Sequence, residues 1–139
     1  MKQRVLILCT GNSARSQMAE GWLRDLAGDR FDVSSAGTHP SSVNPLAIEA
    51  MRERGIDISA HRSKSVREFV SLPFDYVITV CDAAAEACPI FPGPAQRIHW
   101  SFPDPAAVQG DYDMRLAAFR DVRDALGRQL QEWLASSPD

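Results

Sequence analysis

A chain of 139 residues has room for one domain with a proper core and not for two. Its 45% hydrophobic and 24% charged residues describe an ordinary soluble globular protein. Fifteen Lys and Arg, outnumbered by eighteen Asp and Glu and forming no basic stripe, argue against nucleic acid as a partner. No apolar stretch approaches membrane-spanning length and no secretion signal is evident. With three cysteines, an odd number, the expectation is a cytoplasmic chain whose thiols matter for reactivity more than as a disulfide framework.

The apolar run Val5-Leu6-Ile7-Leu8 within 4–9 reads as a buried parallel strand. It leads into Cys9-Thr10-Gly11-Asn12-Ser13-Ala14-Arg15-Ser16, and from Ser16 onward Met18, Trp22, Leu23 and Leu26 mark a helix. A glycine-containing loop between strand and helix brings free backbone N–H groups and the positive end of the helix dipole to one point. Thr10, Gly11, Asn12, Ser13, Ala14, Arg15 and Ser16 are thus the candidate binding set for a tetrahedral oxyanion, with the Arg15 guanidinium supplying a bidentate fork. The same field favours the thiolate of Cys9, the candidate nucleophile. Asn12 also suits a turn at positive φ, and Ser16 is either the helix N-cap or a neighbour of the thiolate.

Further strands are expected at 31–36, 76–81 and 96–100, alternating with helices as in a parallel α/β sheet. Asn44-Pro45 reads as an N-cap and first helical residue, with Gly55 stopping that helix after Arg54. Spacings of three and four from Leu116 to Leu134 predict a long surface helix over about 111–135. Right-handed crossovers set the strand C-termini on one edge, so Cys9 and Cys81, each ending a strand, share an edge with the Asp-Pro loop holding Asp104. Asp104 is the candidate general acid, against the plainer reading of a turn aspartate before proline.

Cys81 and Cys88, seven residues apart, would stand about 10.5 Å apart on a regular helix. A disulfide between them therefore requires a helix over 82–88 to unwind or bend. The helix-favouring Asp82-Ala83-Ala84-Ala85-Glu86-Ala87 offers no large apolar anchor, and Pro89, Pro92, Gly93 and Pro94 confine any change on the far side. His39, His61 and His99 have no metal-ligand spacing and read as cap or loop partners; no metal is expected.

The segments Cys9–Trp22, Ser35-Ala36-Gly37, Val43-Asn44-Pro45 and His99–Pro105 resemble those of the low-molecular-weight protein tyrosine phosphatase superfamily. Val80-Cys81 through Cys88-Pro89 is similar in particular to its thioredoxin-coupled arsenate reductases. The resemblance implies a four-stranded parallel sheet with helices on both faces. It implies reduction of arsenate to arsenite by a relay in which Cys9 attacks, Cys81 resolves and Cys88 completes an exposed disulfide, with Asp104 as acid. Two thiols becoming one disulfide supply the two electrons required. It further implies no tightly bound cofactor, electrons from thioredoxin or a similar dithiol, and phosphate and sulfate as competing oxyanions; nothing in the sequence suggests an obligate dimer, so a monomer is expected. The alternative is a phosphatase using Cys9, Arg15 and Asp104 alone. The chain departs from its relatives at Ala14, where many carry a second loop cysteine. It departs again at Lys64, where some carry a potassium-binding aspartate beside the equivalents of Asn12 and Ser35; a cation beside an ammonium is repelled, so indifference to potassium is expected.

Overall fold

The computed structural model describes residues 2–93 and 95–136, so Pro94 of the proline cluster lies outside it. Four strands, β1 (Gln3–Cys9), β2 (Phe31–Gly37), β3 (Tyr76–Thr79) and β4 (Gln96–His99), form one parallel sheet in the order β2-β1-β3-β4. Val5, Leu6, Ile7 and Leu8 are all fully buried, as a central strand covered on both faces requires. The chain passes from β1 to β2 on one side and then returns to β3 on the other, which makes the C-terminal end of β1 the switch point of the sheet. Cys9 stands there.

Four α-helices complete the frame: α1 (Arg15–Ala27), α2 (Pro45–Arg52), α3 (Asp82–Glu86) and α4 (Tyr112–Ala135). The caps explain the boundaries. Asn44 Oδ1 accepts from Leu46 N at 2.9 Å with Pro45 at the first helical position, and Asp111 caps α4 through Met114 N at 2.9 Å. Gly55 takes φ +74°, a left-handed turn that suits glycine, three residues beyond the end of α2. Leu116, Phe119, Val122, Leu126 and Leu130 put the apolar stripe of α4 into the core. The Trp22 indole lies flat where Gly127 has no side chain, and its Nε1 donates to Arg123 O at 2.9 Å, locking α1 to α4.

Three expectations need correction. β3 ends at Thr79 and not at 81, because Cys81 already serves as the N-cap of α3. α3 covers five residues and stops before Cys88, since only Ala84 among its small side chains is buried to hold it. Ser16 is not the N-cap of α1: Ala14 holds that position without a side-chain bond, and the Ser16 hydroxyl is engaged elsewhere. Among the described residues no helix is long and apolar enough to cross a membrane.

Candidate active site

The loop after β1 is held by its carbonyls. Cys9 O accepts from Thr38 N at 3.2 Å, Thr10 O from His39 N at 2.8 Å, Gly11 O from Ser41 N at 3.0 Å and Ser13 O from Asn44 N at 2.9 Å. Asn12 O accepts from Ser63 Oγ at 2.6 Å and Gln17 Nε2 at 3.2 Å. With five successive carbonyls turned outward to these partners, the loop amides are left to the inside, and Asn12 N donates to Cys9 Sγ at 3.2 Å. Gly37 makes the fit possible: a Cβ there would stand 2.5 Å from Thr10 O and 2.9 Å from Asn12 N.

Asn12 takes the turn conformation. It is the one non-glycine among the described residues at positive φ, +48°, and its side chain is fully buried away from the cavity. Its Nδ2 donates to Ser16 Oγ at 2.7 Å and Ser35 Oγ at 2.9 Å, and its Oδ1 accepts from Lys64 N and Gln17 Nε2, both at 2.9 Å. Ser35 in turn donates to Glu20 Oε1 at 2.5 Å. Behind the loop therefore lies a polar scaffold of buried Gln17, Glu20 and Ser35 with half-buried Ser63 and Lys64, of which the sequence points only to Ser35 and Lys64 as neighbours of the loop. The signal was present, since Gln17, Glu20 and Gly21 share one face of α1, but polar residues on a helix usually read as its wet side. Glu20 is 3% exposed and balanced by Arg24 Nη2 at 3.0 Å and Lys64 Nζ at 3.8 Å, with His61 Nε2 also 3.8 Å away. Burial pushes both Lys64 and His61 below their usual values, and the Glu20 carboxylate opposes it.

Cys9, 2% exposed, has Ser16 Oγ at 2.9 Å from its sulfur. Thr10, Gly11, Ser13, Ala14 and Arg15 line a cavity of about 280 Å³ with Cys9, Asp104, Ser41 and Ala106. Ser41 was not expected there. Arg15 Nη1 donates to Phe102 O at 3.0 Å, which ties the guanidinium to the loop carrying Asp104. Asp104 is exposed, lines the cavity and also caps a short 3-10 turn, accepting from Ala106 N at 3.0 Å, so the turn position does not take it away from the cavity.

The other thiols follow along the same edge. Cys81 is buried, and its sulfur lies 3.4 Å from Thr10 Oγ1 in the loop itself. Cys88 is half-buried, its Sγ 3.5 Å from Pro89 O; burial pushes its thiol up, with the Arg97 guanidinium acting against that. His99 bridges the segment's other end, with Nδ1 2.8 Å from Thr79 Oγ1 and Nε2 2.8 Å from Asp82 Oδ1. All three thiols are free. Among the described residues no His, Cys, Asp and Glu cluster could hold a metal ion.

A strand, a carbonyl-anchored loop with a cysteine and an arginine six apart, and a parallel sheet in the order 2-1-3-4 define a phosphate-loop enzyme scaffold of the phosphatase type. The chain belongs to the low molecular weight phosphotyrosine protein phosphatase family, whose model matches residues 4–137. Its relatives there include the arsenate reductase of Halalkalibacterium halodurans, 45% identical over 130 residues and 94% of each chain. A solved arsenate reductase in the phosphate-binding state superposes with a TM-score of 0.78 at 31% identity, covering 98% of this chain and 99% of the other. The thioredoxin-dependent arsenate reductase of Corynebacterium glutamicum has a TM-score of 0.69 at 27% identity, covering 99% of this chain and 64% of that one.

Proposed function

We propose that the protein reduces arsenate to arsenite by a three-thiol relay. The observation that carries this reading is the Thr10 contact: one residue of the oxyanion loop sits beside Cys9 in sequence and 3.4 Å from Cys81 Sγ in space, joining trap and second thiol. Arsenate enters the cavity against the loop amides and Arg15. The Cys9 thiolate attacks arsenic, and Asp104 protonates the departing oxygen so that water leaves. Cys81 then attacks Cys9 Sγ; the sulfur–arsenic electron pair stays with arsenic, which departs as arsenite, and a Cys9–Cys81 disulfide remains. Cys88 attacks Cys81 and frees Cys9.

The Cys81–Cys88 disulfide is then reduced by thioredoxin or a similar dithiol. The likeness to a thioredoxin-dependent reductase supports that donor. Phosphate and sulfate, alike in shape, compete for the loop. Because Cys9, Arg15 and Asp104 meet in one cavity without help from the other thiols, slow hydrolysis of aryl phosphates accompanies the main reaction.

Single turnover without added reductant tests the reading. One arsenite released and two thiols lost per chain are expected. Cys81→Ser releases none, whereas Cys88→Ser releases one and stops at Cys9–Cys81. Three intact thiols and no arsenite, in protein that still cleaves an aryl phosphate, would leave a phosphatase.

A further inference from the structure

The relay needs its last thiol to act as a nucleophile, and the surroundings of Cys88 work against that. The thiol is half-buried beside a cavity of about 180 Å³ whose walls include Val77, Ala85 and Ile98. It lies two residues beyond the end of α3, so the terminal carbonyls of that helix face its side of the segment, and Pro89 O is its hydrogen-bond acceptor. Apolar walls and carbonyl oxygens both disfavour a thiolate. One cation is fixed against this arrangement. Arg97, on the outer strand β4, donates from Nη2 to Cys88 O at 2.8 Å and to Pro89 O at 2.5 Å, and it lines the same cavity as the sulfur. His99, two residues along β4 on the same face, also lines the cavity and is already paired with Thr79 and Asp82, so its ring is committed to the other end of the segment. Glu86 is exposed on α3.

We propose that Arg97 is a positioning residue for the final step of the relay: tethered through the carbonyls of Cys88 and Pro89, its guanidinium supplies the counter-charge that lets Cys88 attack Cys81. The inference rests on the relay proposed above. In the step, Cys88 gives its proton to solvent and its sulfur attacks Cys81 Sγ. The Cys81–Cys88 bond forms as the Cys9–Cys81 bond breaks, and Cys9 leaves as a thiolate toward Asn12 N–H and Ser16. One disulfide is exchanged for another, with no net change in electrons. The attachment to backbone carbonyls, and not to a carboxylate, leaves the positive charge of Arg97 uncancelled at the sulfur. Its long exposed stem lets it follow the segment as 82–88 rearranges.

The test isolates Cys88 in the Cys9→Ser/Cys81→Ser chain and follows alkylation by iodoacetamide against pH, with Arg97 intact, Arg97→Lys or Arg97→Met. Loss of the charge moves the alkylation midpoint up by about one pH unit. Because a more basic thiolate is also a stronger nucleophile, the net rate at neutral pH falls about three- to fourfold. Arg97→Lys restores the rate to within twofold. In the three-cysteine chain, Arg97→Met accumulates the Cys9–Cys81 disulfide over Cys81–Cys88 after arsenate is added. An unchanged midpoint in Arg97→Met overturns the proposal, as does Arg97→Lys falling as far as Arg97→Met. Alkylation involves no arsenate, whereas arsenite release by the unmutated chain tests the relay, so the two ideas fail separately.

Discussion

Gly37→Ala separates damage to the loop from damage to the fold. The added Cβ meets backbone on three sides, 2.5 Å from Thr10 O, 2.9 Å from Asn12 N and 3.0 Å from Gly11 C, with no flexible side chain to yield. Restoring ordinary contact at 3.4 Å moves the Thr10 carbonyl by about 0.9 Å. That carbonyl is anchored by His39 N, and the Asn12 amide that would also move bonds the Cys9 sulfur. A displacement of this size in a reacting constellation costs on the order of 10²-fold in rate. The overpacking itself costs about 1–3 kcal/mol of stability. Gly21→Ala is the control, since its Cβ would sit 2.9 Å from Ile58 Cγ2, 3.2 Å from Ile56 Cγ2 and 3.3 Å from Met51 Cε, all side-chain methyls behind α1 and none of them loop backbone. Both variants should melt several degrees lower, at roughly 3–5 °C per kcal/mol. Only Gly37→Ala should lose kcat/KM for arsenate about a hundredfold and weaken inhibition by phosphate in parallel. A Gly37→Ala protein with kcat/KM within threefold of the parent, or a Gly21→Ala protein equally inactive, would refute the reasoning.

Asp104→Asn keeps the bond to Ala106 N and removes the proton, so kcat for arsenite formation should fall about 10²–10⁴-fold with the melting temperature unchanged; equal activity would exclude Asp104 as the acid. Lys64 Nζ already neutralises the buried Glu20, so exchanging sodium for potassium at equal ionic strength should alter turnover less than twofold, and a several-fold stimulation would contradict this. Glu53 is pulled down from 4.5 to about 2 by its bonds to Arg120 at 2.6 Å and Arg123 at 2.8 Å. Since its folded value lies below its unfolded one, its contribution is full above pH 4.5 and lost as pH falls toward 2. Discounted for solvent around a carboxylate 30% exposed, the contribution is about 1 kcal/mol. Glu53→Gln should therefore cost about that much in urea unfolding at pH 7 and nothing near pH 2, and a pH-independent cost would refute the ion pair as its source.

Where hydrophobic periodicity or capping chemistry carries the signal, the chain is legible without coordinates. Val5–Leu8 reads as the buried central strand, Asn44-Pro45 as a helix start, and Leu116–Leu134 as the stripe of α4. The Cys9–Ser16 loop is legible because strand, glycine and helix must occur in that order for amides to converge. What escapes is the polar interior. Gln17 and Glu20 face inward because Asn12 and Ser35 offer them partners, and no local pattern announces a partner 15 residues away. The extent of α3 escapes for a related reason: its alanines favour helix intrinsically, yet with only Ala84 buried nothing extends it to Cys88.

The loop is fastened from behind by Asn12, Ser35, Glu20 and Lys64, through bonds that involve no anion. A trap built in advance spends little binding energy on closing around its guest, and it has little means of testing that guest by shape. Arsenate and phosphate, nearly the same size and charge, would then enter on nearly equal terms. Under the proposed relay, discrimination falls to what happens after entry: an arsenic–sulfur bond would release a reduced product when Cys81 attacks, and a phosphorus–sulfur bond could only be hydrolysed. Selectivity in such a protein is a property of the redox step and not of the pocket. A high background of phosphate should therefore slow the enzyme without ever misdirecting its thiols.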